Sequence, residues 1–179
     1  MRKKISVKEI TYIGLFSALM IICSWINVPF VVPFTLQTFG IFLMVFVMGI
    51  KKSLISMAIY YLLGICGVPV FAGFKSGVSS LLGPTGGYLI GFIFMIIITG
   101  AVKNVGKGKA VKFLSGIVGL LFCYAFGTIW FYYVYLQKGE TQSLFAIMLT
   151  CVVPYLLPDA VKLWLAIFLE GKLKKHIKD

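Results

Sequence analysis

GVPVFAGFKSGVSSLLGPTGG occupies residues 67–87, and the fold turns on how it is read. Six of its 21 residues are glycine and two are proline, too many for one straight helix. It is also too apolar for a solvated linker. Irregular apolar backbone fits one role, a loop folded against protein that lines a polar cavity, because lipid cannot satisfy exposed peptide groups. Apolar runs flank it on both sides, 53–66 before and 88–102 after.

The same alternation of apolar runs and short breaks covers the chain. Of 179 residues, 60% are hydrophobic and 12% charged, whereas soluble domains average about 45–50% and about 25%. A soluble globule of this size cannot hide that much apolar surface. The sequence therefore predicts an all-α integral membrane protein, a single membrane domain over 1–179. Its six transmembrane helices are expected over 10–28, 36–50, 53–66, 88–102, 113–136 and 143–169. Six spans use about 120 residues, which leaves no room for an ATP-binding domain, and no GxxxxGK[ST] loop occurs. Residues 10–28 are long for a signal peptide and no A-x-A site follows them. Pro29 and Pro33 break the first helix, so 29–37 folds back into protein. Spans two and three are short, and Lys51 and Lys52 end the second. The aromatic run Trp130, Phe131, Tyr132, Tyr133 and Tyr135 suits a membrane interface.

The net charge of +12 would suggest nucleic acid in a soluble protein. Here the bases lie between apolar runs, so the expected partner is membrane lipid at the cytoplasmic face, not nucleic acid. Arg2, Lys3, Lys4 and Lys8 precede span one, and Lys51 and Lys52 follow span two. Lys103, Lys107, Lys109 and Lys112 follow span four, and Lys172, Lys174, Lys175 and Lys178 close the chain. Opposite these fourteen stand Lys75 and Lys138. The bias predicts cytoplasmic N and C termini and puts 29–37 and 67–87 together on the outer face.

Chemistry-bearing side chains are few. Cys23, Cys66, Cys123 and Cys151 have no metal spacing, and the single histidine, His176, is in the charged tail. No metal, cofactor or catalytic constellation is expected. Asp159 and Lys162, three apart on one face of the last span, are either a self-neutralising ion pair or ligand-facing groups. Pro158 beside them suggests an interrupted helix there. Lys75 either holds an anionic group or is a solvated loop lysine. Ser76, Ser79, Ser80 and Thr85 add hydroxyls on the same loop, and Thr35 and Gln37 lie at the outer end of span two. With Asp159 these groups can converge on one small cavity. Tyr88 and Trp25 either stack on a ligand or anchor the interface. Gly14 and Ala18, four apart on span one, form either internal packing or a face for a partner helix.

The run GVPVFAGFKSGVSSLLGPTGGYLIGF (67–92) resembles the signature loop of the BioY family, the biotin-binding S components of energy-coupling factor (ECF) transporters, most specifically at LLGPTGGYLIGF (81–92). VPFTLQTF (32–39) and PDAVK (158–162) are similar to two further family segments. The resemblance implies an ECF S-component-like fold that binds biotin near the outer face under the 1–2 and 3–4 loops. It also implies partnership with a membrane-embedded coupling subunit and two cytoplasmic ATPases, and no ATPase activity of its own. In that picture Asp159 accepts from the ureido N–H groups of biotin. Ser79, Thr85 or Gln37 serves its carbonyl, and aromatic rings pack on the remainder. Lys75 or Lys162 meets the carboxylate, and Gly14 and Ala18 serve docking. The family loop is usually richer in glycine where this chain has Phe74, Lys75, Ser76 and Ser79, and Ser79 stands where some members carry asparagine. Such a protein would reside in the plasma membrane of a prokaryote. Two rival readings are an S component for another small vitamin and a membrane assembly partner that binds no solute.

Overall fold

The computed structural model describes residues 6–106, 108–139 and 143–177. Arg2, Lys3, Lys4, Lys107 and Lys178, counted in the charge bias above, lie outside these residues. Helix α1 spans Val7–Trp25 and is capped by Ser6, whose side chain accepts from the Glu9 N–H while Glu9 reaches back to the Ser6 N–H. The cap starts α1 three residues before the expected span. Its end is also earlier, because Asn27–Val28 (β1) pairs antiparallel with Phe34–Thr35 (β2). This hairpin is a small departure from an all-α chain, and it folds the proline-broken segment back over the helices.

Helices α2 (Gln37–Met48) and α3 (Ile50–Ile65) are separated by Gly49 alone, at φ +77°. Only glycine adopts that value without strain. Lys51 and Lys52 thus sit in the first turn of α3 and not in a loop between spans. The stretch expected to be irregular throughout contains one turn of helix, α4 (Val78–Leu82). Then α5 (Gly86–Lys103) and α6 (Lys109–Gln137) form a close pair. The last expected span is two helices, α7 (Leu144–Cys151) and α8 (Val153–Ile177). The break falls at Val152 and not at Pro158. Pro154 closes off α7 because its ring would clash with the preceding turn, yet it fits the first turn of α8, where no N–H is needed. Pro158 lies inside a continuous α8.

Among the described residues, four helical segments are able by length and composition to cross a membrane: Val7–Trp25, Gly86–Lys103, Lys109–Gln137 and Leu144–Lys175. Gln37–Met48 is a shorter apolar helix. At 12 residues it is about 18 Å long.

Small residues set the helix spacing, as expected where apolar burial gives no drive for helices to associate in lipid. A Cβ on Gly119 would lie 2.1 Å from Thr99 Oγ1 and 3.1 Å from the Met95 carbonyl oxygen. One on Gly91 would meet the Cys123 backbone at 3.2 Å. The α1–α3 contact is tied by Ser17, which donates to the Ser56 carbonyl at 3.1 Å, and by Ser56, which donates to the Ile13 carbonyl at 3.1 Å. A Cβ on Gly14 would have open space for 4 Å around it, and both Gly14 and Ala18 face outward. They are not internal packing residues. Of the aromatic run, Phe131 is buried in the core rather than placed at an interface. We predict that Gly119→Val destabilises the protein by about 1–3 kcal/mol through overpacking. Gly14→Ala, with open space for its methyl, should instead raise stability in detergent by about 0.5–1 kcal/mol through helix propensity, read by thermal unfolding.

Candidate functional site

Two loops converge at one end of the helices. Trp25, at the end of α1, donates from Nε1 to the Pro69 carbonyl at 2.8 Å and stacks on Phe74 at 5.3 Å. Ser24 donates to the Val70 carbonyl. The 67–77 segment makes a tight reversal in which the Phe71 N–H donates to the Lys75 carbonyl at 3.0 Å. Gly73 and Phe74 both take positive φ there, +71° and +57°. Gly64 leaves room for the Phe71 ring, since a Cβ there would stand 2.2 Å from Phe71 Cζ. From the other side Trp130 Nε1 holds the Gly83 carbonyl at 3.0 Å.

Beneath these loops lies a cavity of about 330 Å³, within the range of small-molecule sites. Thr35, Gln37, Lys75, Ser79, Thr85, Tyr88, Asp159 and Lys162 all line it. Trp25 does not; it fastens the loop above. Ser80 lines the wall, whereas Ser76 is engaged through its carbonyl by Ser80 Oγ at 3.0 Å.

Asp159 and Lys162 form the polar end, and they are both an ion pair and part of the wall. Lys162 Nζ is 2.8 Å from Asp159 Oδ1. It also donates to the Thr35 carbonyl at 2.6 Å and stands 4.0 Å from the Phe34 ring centroid. Asp159 Oδ1 accepts from Thr38 at 2.9 Å, and Oδ2 accepts from Tyr124 at 2.5 Å. The two residues are only 2% and 6% exposed. A carboxylate has about four acceptor positions, so Oδ2 retains one for a ligand donor. The ammonium likewise retains one of its three N–H groups. Because the pair neutralises itself, this end suits a neutral group carrying both a donor and an acceptor.

The other polar groups are arranged differently. Thr35 Oγ1 donates to Gln37 Oε1 at 2.9 Å, and Gln37 Nε2 donates to the Tyr60 hydroxyl at 2.9 Å. Gln37 is thereby held by its neighbours. The Tyr88 hydroxyl is 3.1 Å from Thr128 Oγ1, which leaves its ring as the surface offered to the cavity. Lys75 lines the cavity but is exposed, and it has no carboxylate partner among the described residues. It is the wall's uncompensated charge.

Thr38, Tyr124, Tyr155, Phe71 and Phe92 also line the cavity, beyond the residues that the sequence marks out. Thr38 sits inside the 32–39 segment already singled out. Tyr124 shares a helix face with Gly127 and Leu120, at spacings of three and four, so the small residues of α6 mark its buried side. Tyr155 gave no signal, since its place depends on the break at Val152.

A buried ion pair loses far more when one partner is removed than when both are replaced. We predict that Lys162→Met alone destabilises the ligand-free protein by about 3–5 kcal/mol. The double variant Asp159→Asn with Lys162→Met should recover most of that loss in thermal unfolding.

Comparison with known proteins agrees with this architecture. The BioY family model matches residues 1–179. A protein of Thermotoga maritima named biotin transporter BioY is 37% identical over 170 residues, which cover 94% of this chain and 97% of that one. A Pyrococcus horikoshii protein named probable biotin transporter BioY is 37% identical over 169 residues, covering 93% and 96%. Among solved structures, the S component for biotin from an ECF-type ABC transporter, a crystal structure at 2.1 Å, matches with a TM-score of 0.83 at 27% identity. That match covers 94% of this chain and 92% of the other. With a family model matched end to end and relatives aligned over nearly their full lengths, the chain belongs to the BioY family.

Proposed function

We propose that this protein is the biotin-capturing, substrate-specificity subunit of an ECF-type vitamin uptake transporter. One observation carries the reading beyond kinship: the cavity pairs a neutral donor–acceptor end with a separate unpaired cation. Biotin has the matching halves. Its ureido ring offers N–H donors and a carbonyl acceptor, and its valeryl chain ends in a carboxylate. The ureido N–H meets the free position on Asp159 Oδ2 and the carbonyl meets Lys162. Ser79 and Thr85 line the route between, the rings of Tyr88, Phe71 and Phe92 pack the apolar middle, and Lys75 receives the carboxylate. A cavity so lined favours a solute-binding role over that of a structural partner alone.

In this reading the chain crosses the plasma membrane six times, with α7 and α8 together making the last crossing and both termini in the cytoplasm. The basic residues then face inward, and the cavity opens outward. The outward-facing Gly14 and Ala18 of α1 are the docking stripe for a membrane-embedded coupling subunit, and two cytoplasmic ATPases supply the energy. The chain itself hydrolyses no ATP.

Calorimetry on the detergent-purified protein tests the ligand. Saturable one-to-one biotin binding is expected, with thiamine and riboflavin silent. Asp159→Asn should weaken it by on the order of ten- to a hundredfold, the worth of a hydrogen bond to a charged group. Binding of another vitamin in place of biotin, or unaltered biotin affinity in Asp159→Asn, would overturn the assignment.

Orientation has its own test. Cys66, at the end of α3 beside the 67–77 segment, is exposed, whereas Cys23, Cys123 and Cys151 are buried. A membrane-impermeant maleimide added to intact cells should label Cys66, and Cys66→Ser should abolish the signal. Labelling only after the cells are opened would invert the topology.

A further inference from the structure

Two residues past the cavity's Lys162, on another face of α8 and along the α6–α8 seam, lies a second concavity of about 300 Å³. Lys109, Ala110 and Phe113 of α6 line one side, and Trp164, Ile167 and Phe168 of α8 the other. Trp164 and Phe168 stack with centroids 5.9 Å apart and planes 9° from parallel, yet they are 60% and 46% exposed. One turn further, Lys172 Nζ stands 4.7 Å from the Phe168 ring centroid. The groove therefore has an aromatic wall, with Lys109 in its lining and the Lys172 ammonium against Phe168.

Those ammonium groups are not neutralised within the described protein. Neither Lys109 nor Lys172 has a carboxylate partner among the described residues. The neighbouring carboxylate in sequence, Glu170, is 1% exposed and already held by Lys112 at 2.7 Å and Lys174 at 2.6 Å. The groove thus combines an apolar trough with an unmatched double positive charge. Its complement is an amphiphile with an anionic head.

We propose that the groove holds an anionic glycerophospholipid, its phosphate between Lys109 and Lys172 and one acyl chain along Phe113, Trp164 and Phe168. The placement follows from depth as well as charge. Trp164 sits two turns along α8 from Lys172, and stacked aromatic rings ending in lysines make the sequence of a membrane interface. On the orientation proposed above this end meets the cytoplasmic leaflet, where anionic lipids concentrate. The inference rests on that membrane placement and not on the identity of the solute. It involves neither the cavity residues nor the α1 stripe.

Native mass spectrometry of the full chain, titrated separately with dioleoyl phosphatidylglycerol and dioleoyl phosphatidylcholine, tests it. The expected result is preferential retention of phosphatidylglycerol. Affinity should fall about fivefold for Lys109→Gln or Lys172→Gln and about thirtyfold for both together, the scale of a lysine at an anionic surface. Equal retention of the two lipids, or wild-type retention by the double variant, would overturn the proposal. A second measurement needs no charge variant. Brominated phosphatidylglycerol should quench wild-type tryptophan fluorescence more than brominated phosphatidylcholine does, and Trp164→Phe should remove the difference; equal quenching by the two would count against the site. Biotin titration of the same samples keeps the readings separate. Failure of wild type to bind biotin overturns the solute assignment while the lipid comparison stands on its own.

Discussion

The pairing of Asp159 with Lys162 is the constraint around which the cavity end is arranged. An ionised group within an apolar helix must find partners or neutralise, and here the partners come from separate parts of the chain. Thr38 approaches from α2, Tyr124 from α6, and the Thr35 carbonyl from the β hairpin. The pair thereby joins α8 to the elements that wall the cavity. It also fixes the cavity's chemistry, because donors already engaged with Asp159 Oδ1 leave Oδ2 as the side open to a ligand.

Helix spacing is set by a different rule. In lipid, close approach of backbones replaces the burial of large side chains as the cohesive device. Gly91 and Gly119 bring α5 and α6 together, and Gly127 admits the Tyr88 ring, with a Cβ there only 2.2 Å from Tyr88 Cδ1. Tyr88 then reaches Thr128 and turns its ring toward the cavity. The same small residues that permit packing thus set the shape of the site. Loop fastening is equally sparing, since two indole N–H groups, of Trp25 and Trp130, hold carbonyls on either side of the cavity roof.

The helical architecture was legible residue by residue where hydropathy and charge carried it. Boundaries shifted where local chemistry was stronger than hydropathy. Ser6 and Glu9 extended α1 backward by capping, Gly49 let α3 begin before its lysines, and Pro154 rather than Pro158 divided the last apolar run. Choosing between those two prolines requires knowing where a helix restarts, which no window of sequence records. The site was legible through its rare groups. Charged and hydroxyl side chains near apolar segments stand out, so Asp159, Lys162, Lys75, Thr35, Gln37, Ser79 and Thr85 were readable. Tyr124 and Tyr155 were not, because a tyrosine in an aromatic-rich membrane chain looks the same whether it faces lipid or a carboxylate.

Composition and residue order alone determine a mostly helical chain with apolar runs long enough to cross a membrane, bases clustered between those runs, and a glycine-rich apolar stretch whose backbone has to fold against protein. Hydropathy and charge report those properties additively, so no knowledge of packing is needed to read them. The packed helices add what order cannot supply: Asp159 and Lys162 pair and also face a cavity, Thr38 and Tyr124 complete them, and Gly14 and Ala18 point away from the protein. Packing also separates Lys109 and Lys172, which lack acidic neighbours among the described residues, from Lys112 and Lys174, which share Glu170. Each of these depends on which helix faces meet. A helix repeats every 3.6 residues whatever lies beside it, so the neighbour that satisfies a side chain is known only once the helices are packed.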